Sequence, residues 1–446
     1  MKKSVSILFT VFLGMFVFVS LPSLFAAGKE DAAAMEEEIV LRVLDPTWDP
    51  MQKLWQEKII PQFEAKHPNV TIQYEWVEWG PILREKAVLA HTSGAPYDVF
   101  MIPDWYMPGL VKLGVIAPVE PKYFGAQSVK EIKERYVDGA LDRMVMYEKK
   151  LYAIPVEMSA HVYIYNPRHF EEIGRAADDA PETFEEMLDI AKKLTKRDSS
   201  GALIRSGFYP NVYPGSNAGF MMVGPQIVQL GGRYFDETWT KPNFVTPEAI
   251  KAYTLFQDIF MPDKIGCAEL GFAIDENQMG ADFVSGRISQ IYGAAYMNSI
   301  FEGIDPDFKD YVYAPIPPLK DAKQKAVSVW GAIYCVDTAS KIQDLAWELV
   351  NFMSEEQFAA IWMLECGMYT ALKGDWLNEV LEQIPDYKVM FDSIGYGISV
   401  MKTDFNDEME TALTEHMERI ISLKMDVKES LGILQKDAER IMSQAK

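Results

Sequence analysis

The chain has 446 residues, 49% hydrophobic and 24% charged, with 65 acidic against 43 basic side chains and a formal net charge of −22. That length exceeds one ordinary hydrophobic core, so two lobes are expected. Such acidity argues against nucleic acid as a partner, and three widely spaced cysteines with no Cys-x-x-Cys give no support to a zinc or dithiol centre.

In chain order, Lys2 and Lys3 precede an uncharged run from Ser4 to Ala27, broken at Pro22 and ending in the small pair Ala26-Ala27. This is the layout of a secretory signal cleaved near Ala26. Leu24 is large for the position two residues before that cut, and the run is long enough to span a bilayer, so an uncleaved anchor remains open. Cys267, Cys335 and Cys366 lie far from it, so a lipoprotein anchor has no cysteine to carry it, and buried apolar thiols are expected. Gly28 to Glu38 is small and charged and reads as a flexible tether.

Folding is expected to start at Ile39. Ile39 to Leu44 reads as a buried strand, Met51 to His67 as a helix through Leu54, Ile59 and Phe63, and Val70 to Trp76 as a second strand. Ile82 to Thr92 follows as a helix stopped by Gly94, and Asp98 to Ile102 as a third strand. Strand and helix alternate, so the sheet is α/β. The turns after these strands hold Asp45, Thr47 and Trp48, then Asp104 and Trp105, and in open α/β sheets such turns line the ligand crevice. A short strand ends at Pro155, an extended run covers Val162 to Tyr165, and Thr183 with Glu186 forms a capping box before the apolar face of Phe184, Met187, Leu188, Ala191 and Leu194. Asp344 to Met353, Glu355 to Glu365, Asn406 to Lys424 and Val427 to Ser443 are helical by periodicity.

Several segments, in order, resemble family 1 extracellular solute-binding proteins of bacterial ABC importers, the sugar-binding kind. They are Phe63 to Val70, Ser93 to Val99 (SGAPYDV), Gly109 to Val119 (GLVKLGVIAPV), Tyr152 to Glu186, Phe283 to Arg287 leading to Gly293, Ala314 to Leu319 (APIPPL) and Val329 to Phe352. The chain departs from the usual pattern at Phe184, at Ser289-Gln290 and at Trp330-Gly331. The resemblance implies a two-lobed periplasmic-binding-protein fold of type II with a helical C-terminus. Lobe I would comprise residues 39–156 plus 331–371, and lobe II residues 157–330 plus 372–446. The crossings would lie near Glu157, near Trp330 and around Ala371, and the cleft would close on its ligand like a hinge. It further implies residence in the periplasm or extracytoplasmic space, a monomer, membrane permease subunits as partners, and neither catalysis nor cofactor.

Sugars need planar aromatics to stack on and carboxylates or amides for their hydroxyls. Trp48, Trp79 and Trp105 lie in predicted turns and are equally readable as ligand contacts or as packing. Trp347 and Trp362 fall on apolar helix faces and read as core. Asp104 and Glu157 resemble ligand acids of maltodextrin-binding relatives; their alternatives are an N-cap for the helix from Met107 and a hinge salt bridge. From the other lobe come Tyr213 and Asn217 in a Gly/Pro-rich loop, Tyr292 and Tyr296 flanking Gly293, and Trp330. His161 and His169 lack metal-ligand spacing. The expected function is capture of a sugar or oligosaccharide for import. A polyamine, drawn to carboxylates and indoles, and a secreted glycoside hydrolase, working through two carboxylates, are the alternatives. Phosphorylated sugars are disfavoured because the turns contain few basic residues.

Overall fold

The computed structural model describes residues 38–212, 219–236, 241–270, 274–399, 403 and 405–444. The expected signal and tether lie outside this range apart from Glu38. From Ile39 onward the described residues form α/β layers. The largest sheet has five strands in the order Val70–Val77, Ile39–Pro46, Val99–Pro103, Ala332–Val336 and Ile154–Pro155. The first three run parallel, with Ile39 opposite Val70 through to Pro46 opposite Val77. The last two are antiparallel additions. Leu41, Val43, Leu44 and all of Val99–Pro103 are buried, the unbroken apolar pattern of strands covered on both faces by helices.

The helix after the first strand runs from Asp49 to Lys66, with a π-helical turn at Trp55–Ile59. Pro61 has no N–H to donate, and the backbone accommodates it by a wider turn in which the Ile60 N–H bonds to the Trp55 carbonyl. The next helix, Pro81–Thr92, stops at Gly94, whose φ of +76° a residue with a side chain rarely adopts.

Two further sheets have three strands each. Val162–Tyr165 sits between Gln290–Gly293 and Val312–Ala314, antiparallel to both. Val327–Trp330 pairs with Ser159–Ala160 on one side and Gly397–Ser399 on the other. The chain therefore leaves the five-stranded sheet after Pro155 and enters another at Ser159, and returns between Trp330 and Ala332. At Ala371 the backbone takes φ +58°, a left-handed value uncommon for a residue with a Cβ, and the Ala371 carbonyl accepts the Val137 N–H at 2.8 Å.

Thr183 caps Phe184–Leu194 by accepting the Glu186 N–H at 3.2 Å, while the Glu186 carboxylate reaches back to the Glu182 N–H at 2.8 Å. Thr183→Ala should lower stability by about 1 kcal/mol in urea unfolding, and Thr183→Ser should restore most of it. The C-terminal helices Asn406–Ile421 and Val427–Gln444 pack together, with the His416 Nδ1 2.8 Å from the Ser430 hydroxyl between them. Trp347 and Trp362 are fully buried, and all three cysteines are buried and unpaired. Among the described residues no helix is long and apolar enough to cross a membrane.

Candidate functional site

The carboxyl ends of two of the parallel strands, Ile39–Pro46 and Val70–Val77, open onto one cavity. Val77 leads to Trp79, and Pro46 leads to Thr47 and Trp48. Trp48 stands at the N-terminus of the helix from Asp49, and its carbonyl accepts the Gln52 N–H at 3.0 Å. The Thr47 N–H bonds to the Val77 carbonyl at 2.5 Å, which joins the two tryptophan-bearing turns. Trp79 is fixed by Gly80, whose φ of +116° lets the chain turn sharply into the next helix.

Further lining comes from Glu276, Asn277, Tyr296 and Ile300. Tyr296 follows strand Gln290–Gly293, and Glu276 follows Asp275, which caps the helix Glu276–Val284 by accepting the Gln278 N–H at 2.8 Å. The Tyr296 hydroxyl donates to Glu276 Oε1, which also accepts the Asn211 side-chain amide at 3.3 Å. Gly367 ends the helix Glu356–Cys366 at φ +66°, and any Cβ there would collide with the Tyr296 backbone, so glycine permits the approach that brings Met368 to the cavity.

The crossing segments add Glu157 and Trp330 to the lining. The Val156 and Glu157 N–H groups donate to the Ala332 carbonyl at 3.0 and 3.2 Å, and the Met158 N–H to the Tyr369 carbonyl at 2.6 Å. Trp330 packs on His161 with ring centroids 4.1 Å apart. The resulting cavity encloses about 740 Å³, including space open to solvent, and is lined by Trp48, Trp79, Glu157, Glu276, Tyr296 and Trp330 with smaller contributions from Pro46, Thr47, Asn277, Ile300 and Met368. Three indoles, a phenol and two carboxyl groups thus face one space, the equipment for stacking a ring and hydrogen-bonding its substituents.

Five of the residues singled out in the sequence meet here: Trp48, Trp79, Glu157, Tyr296 and Trp330. Others do not. Trp105 is 1% exposed and packs against Tyr106. Tyr292 is buried edge-on against Phe208, with its hydroxyl toward the Met187 sulfur. Asp104 neither caps the Met107–Lys112 helix, whose N-cap is Tyr106, nor lines the cavity; its Oδ1 accepts the Gly331 N–H at 3.1 Å while its own N–H donates to the Gly331 carbonyl at 2.9 Å. Tyr213 and Asn217 lie outside the described residues. Glu276 was not anticipated: an acid in the first turn of a capped helix, as at Glu131 and Glu248, serves the helix dipole and gives no further signal.

Glu157 is 5% exposed and its Oε1 accepts the Ser159 hydroxyl at 2.6 Å; among the described residues no Lys or Arg pairs with it. Burial pushes its carboxyl up to about 7; the Ser159 hydroxyl pulls the other way, and the nearby charges of Glu276 and Asp104 push it further up. The Cys366 thiol, itself raised by burial, also feels this charge. Burial raises Glu276 too, against the opposing hydrogen bonds of Tyr296 and Asn211. Because the folded value for Glu157 lies above the unfolded 4.5, the native state holds the extra proton between them. Its burial therefore costs little below pH 4.5, and stability falls as pH rises toward 7, with the loss complete above that. Glu157→Gln should be more stable than the parent at pH 8 by up to roughly 3 kcal/mol and nearly equal to it at pH 4.5, read by urea unfolding at both values. His161 is pushed down to about 3 by burial, and His169, buried against the Ser289 hydroxyl, to about 4. Both are neutral at physiological pH. Among the described residues no group of His, Cys, Asp and Glu is arranged to hold a metal ion.

A two-lobed α/β fold with an aromatic and acidic cavity at the ends of its parallel strands is that of a substrate-binding protein. Residues 46–360 match the family of bacterial extracellular solute-binding proteins, and the chain belongs to that family, whose members bind rather than transform. The chain is similar to the diacetylchitobiose binding protein of Streptomyces coelicolor, with 23% identity over 68% of this chain and 67% of that one. In three dimensions it is similar to an ABC transporter solute binding protein of Thermotoga lettingae bound with alpha-D-tagatose, with a TM-score of 0.77, 18% identity, and coverage of 91% of this chain and 100% of that one. An ABC substrate-binding protein of Listeria monocytogenes in complex with cycloalternan gives the same TM-score, identity and coverage.

Proposed function

We propose that this protein captures a sugar or oligosaccharide in the cavity between its lobes and delivers it to the permease subunits of an ABC importer. The observation that carries this reading is the convergence of Trp48, Trp79, Trp330, Tyr296 and Glu157 on one cavity: indole faces match the apolar faces of pyranose rings, and carboxylates accept from hydroxyls. Relatives that bind diacetylchitobiose, tagatose and cycloalternan support a carbohydrate ligand. The lobes are taken as residues 39–156 with 331–371 and residues 157–330 with 372–446, turning about Glu157, Gly331 and Ala371. Residues 1–27 carry the chain out of the cytoplasm, and the protein acts as a monomer.

Incubating the purified protein with mono- and oligosaccharides should raise its melting temperature with the bound one, because a ligand specific to the native state stabilises it by linkage, and should leave that sugar uncleaved. Cleavage products that vanish in Asp104→Asn or Glu157→Gln would replace the transport reading with a glycoside hydrolase. A melting shift with spermidine and none with any sugar would replace the sugar with a polyamine.

A further inference from the structure

The charged side chains lining the cavity are Glu157 and Glu276, both acids. Asp104 adds a third negative charge within electrostatic reach of Glu157, and Asp275 acts in the same sense on Glu276. Among the described residues no Lys or Arg lines this space or offsets either carboxyl. Elsewhere in the chain Asp282, 3% exposed, takes the Arg287 guanidinium at 2.7 Å, whereas the fully buried Asp45 is met by the neutral Tyr334 hydroxyl at 3.0 Å.

Two like charges in one partly desolvated space repel each other and lose hydration, a cost that only a positive charge cancels directly. A neutral sugar hydrogen-bonds to carboxylates but leaves their charge in place. An ammonium offsets it, and the faces of three tryptophans attract the same cation through their ring quadrupoles. The chain's net charge of −22 draws cations toward it over longer range. A simple polyamine would satisfy the acids yet leave broad indole surfaces opposite narrow methylene chains. A sugar ring bearing an amine satisfies both sets of groups.

Resting on the carbohydrate reading above, we infer that the ligand of this cavity is a cationic amino sugar or an oligomer of one, with its protonated amine held by Glu157 and Glu276 and its ring faces on Trp48, Trp79 and Trp330. A second consequence separates this from neutral-sugar binding. An ammonium next to Glu157 returns that carboxyl toward its ordinary range, so at pH 6 binding expels protons that the free protein held.

The test is isothermal titration of the purified protein at pH 6 with matched sets: glucosamine, galactosamine, mannosamine and short fully deacetylated chito-oligosaccharides, each against its N-acetylated and plain hydroxyl counterparts. The tightest-binding set should show the amine form ahead of both neutral forms by about tenfold or more. Proton release should be seen by comparing buffers of different ionisation enthalpy. The preference should collapse toward unity in Glu276→Gln and in Glu157→Gln, each first shown to melt cooperatively. Neutral forms binding as tightly as the amine, or a preference unchanged in both variants, would overturn the inference and leave the carbohydrate reading standing. Spermidine binding with every sugar inert would overturn the carbohydrate reading itself, and inertness toward all of these probes would overturn the inference as well.

Discussion

Gly331→Ala is expected to lower stability by on the order of 3 kcal/mol or more. A Cβ at this position would overlap the Glu157 carbonyl oxygen and carbon and the terminal methyl of Met144. Methionine can swing aside, but the carbonyl cannot. It belongs to the crossing strand whose Val156 and Glu157 N–H groups are tied to the Ala332 carbonyl, and Gly331 is itself tied to Asp104 through both its N–H and its carbonyl. Any shift that makes room for the methyl therefore breaks buried hydrogen bonds at the junction of the two sheets. The control is Gly303→Ala, in the helix Met297–Ile304 with nothing within 4 Å of the added atom, where alanine should be neutral or stabilising by up to about 1 kcal/mol. Equilibrium urea unfolding of the two variants reads the contrast. Equal stability of Gly331→Ala and the parent would mean that the crossing strands are not packed as described.

Trp330→Ala should remove roughly a hundredfold of ligand affinity, about 2–3 kcal/mol, as expected for a large aromatic at the centre of a binding site, beyond the stability it loses with a buried indole. Trp330 lies between the crossing at Gly331 and the His161 ring, which packs on one side of the indole and holds it in place. Trp48→Ala, on the far wall and half-buried, should cost less on its own because its turn can adjust. The comparison with Trp347→Ala separates binding from folding. Trp347 is fully buried beside Phe124 and Tyr123, and its loss should cost about 3–5 kcal/mol of stability. Its effect on affinity in the fraction that folds should be small.

Most of the secondary structure was legible because its causes are local. The capping box at Thr183, the stop at Gly94 and the periodic apolar residues of Asn406–Ile421 each act within a few residues. The π-turn at Trp55–Ile59 has a local cause in Pro61, although periodicity alone describes only an unbroken helix. The cavity was half legible. Turns at the carboxyl ends of parallel strands pointed to Trp48 and Trp79, but the same rule pointed to Asp104 and Trp105, and only the pairing of Val99–Pro103 with Ala332–Val336 turns those two inward toward Gly331 and the core. Tyr292 and Tyr296 flank the same glycine, yet the strand alternation buries one behind the sheet and the turn after it brings the other to the cavity. Glu276 was hidden by an ordinary role at a helix start. Its place beside Tyr296 and Asn211 arises from contacts between separate elements, which no local pattern records.

The most direct test of the account is calorimetric titration of a broad panel of carbohydrates into the parent protein and into Trp330→Ala, with the sugar recovered afterward by dialysis. The account predicts saturable binding of at least one sugar at one site per chain, recovery of that sugar unchanged, and a roughly hundredfold loss of affinity in the variant. Binding that is indifferent to Trp330, or a sugar recovered in cleaved form, would contradict it.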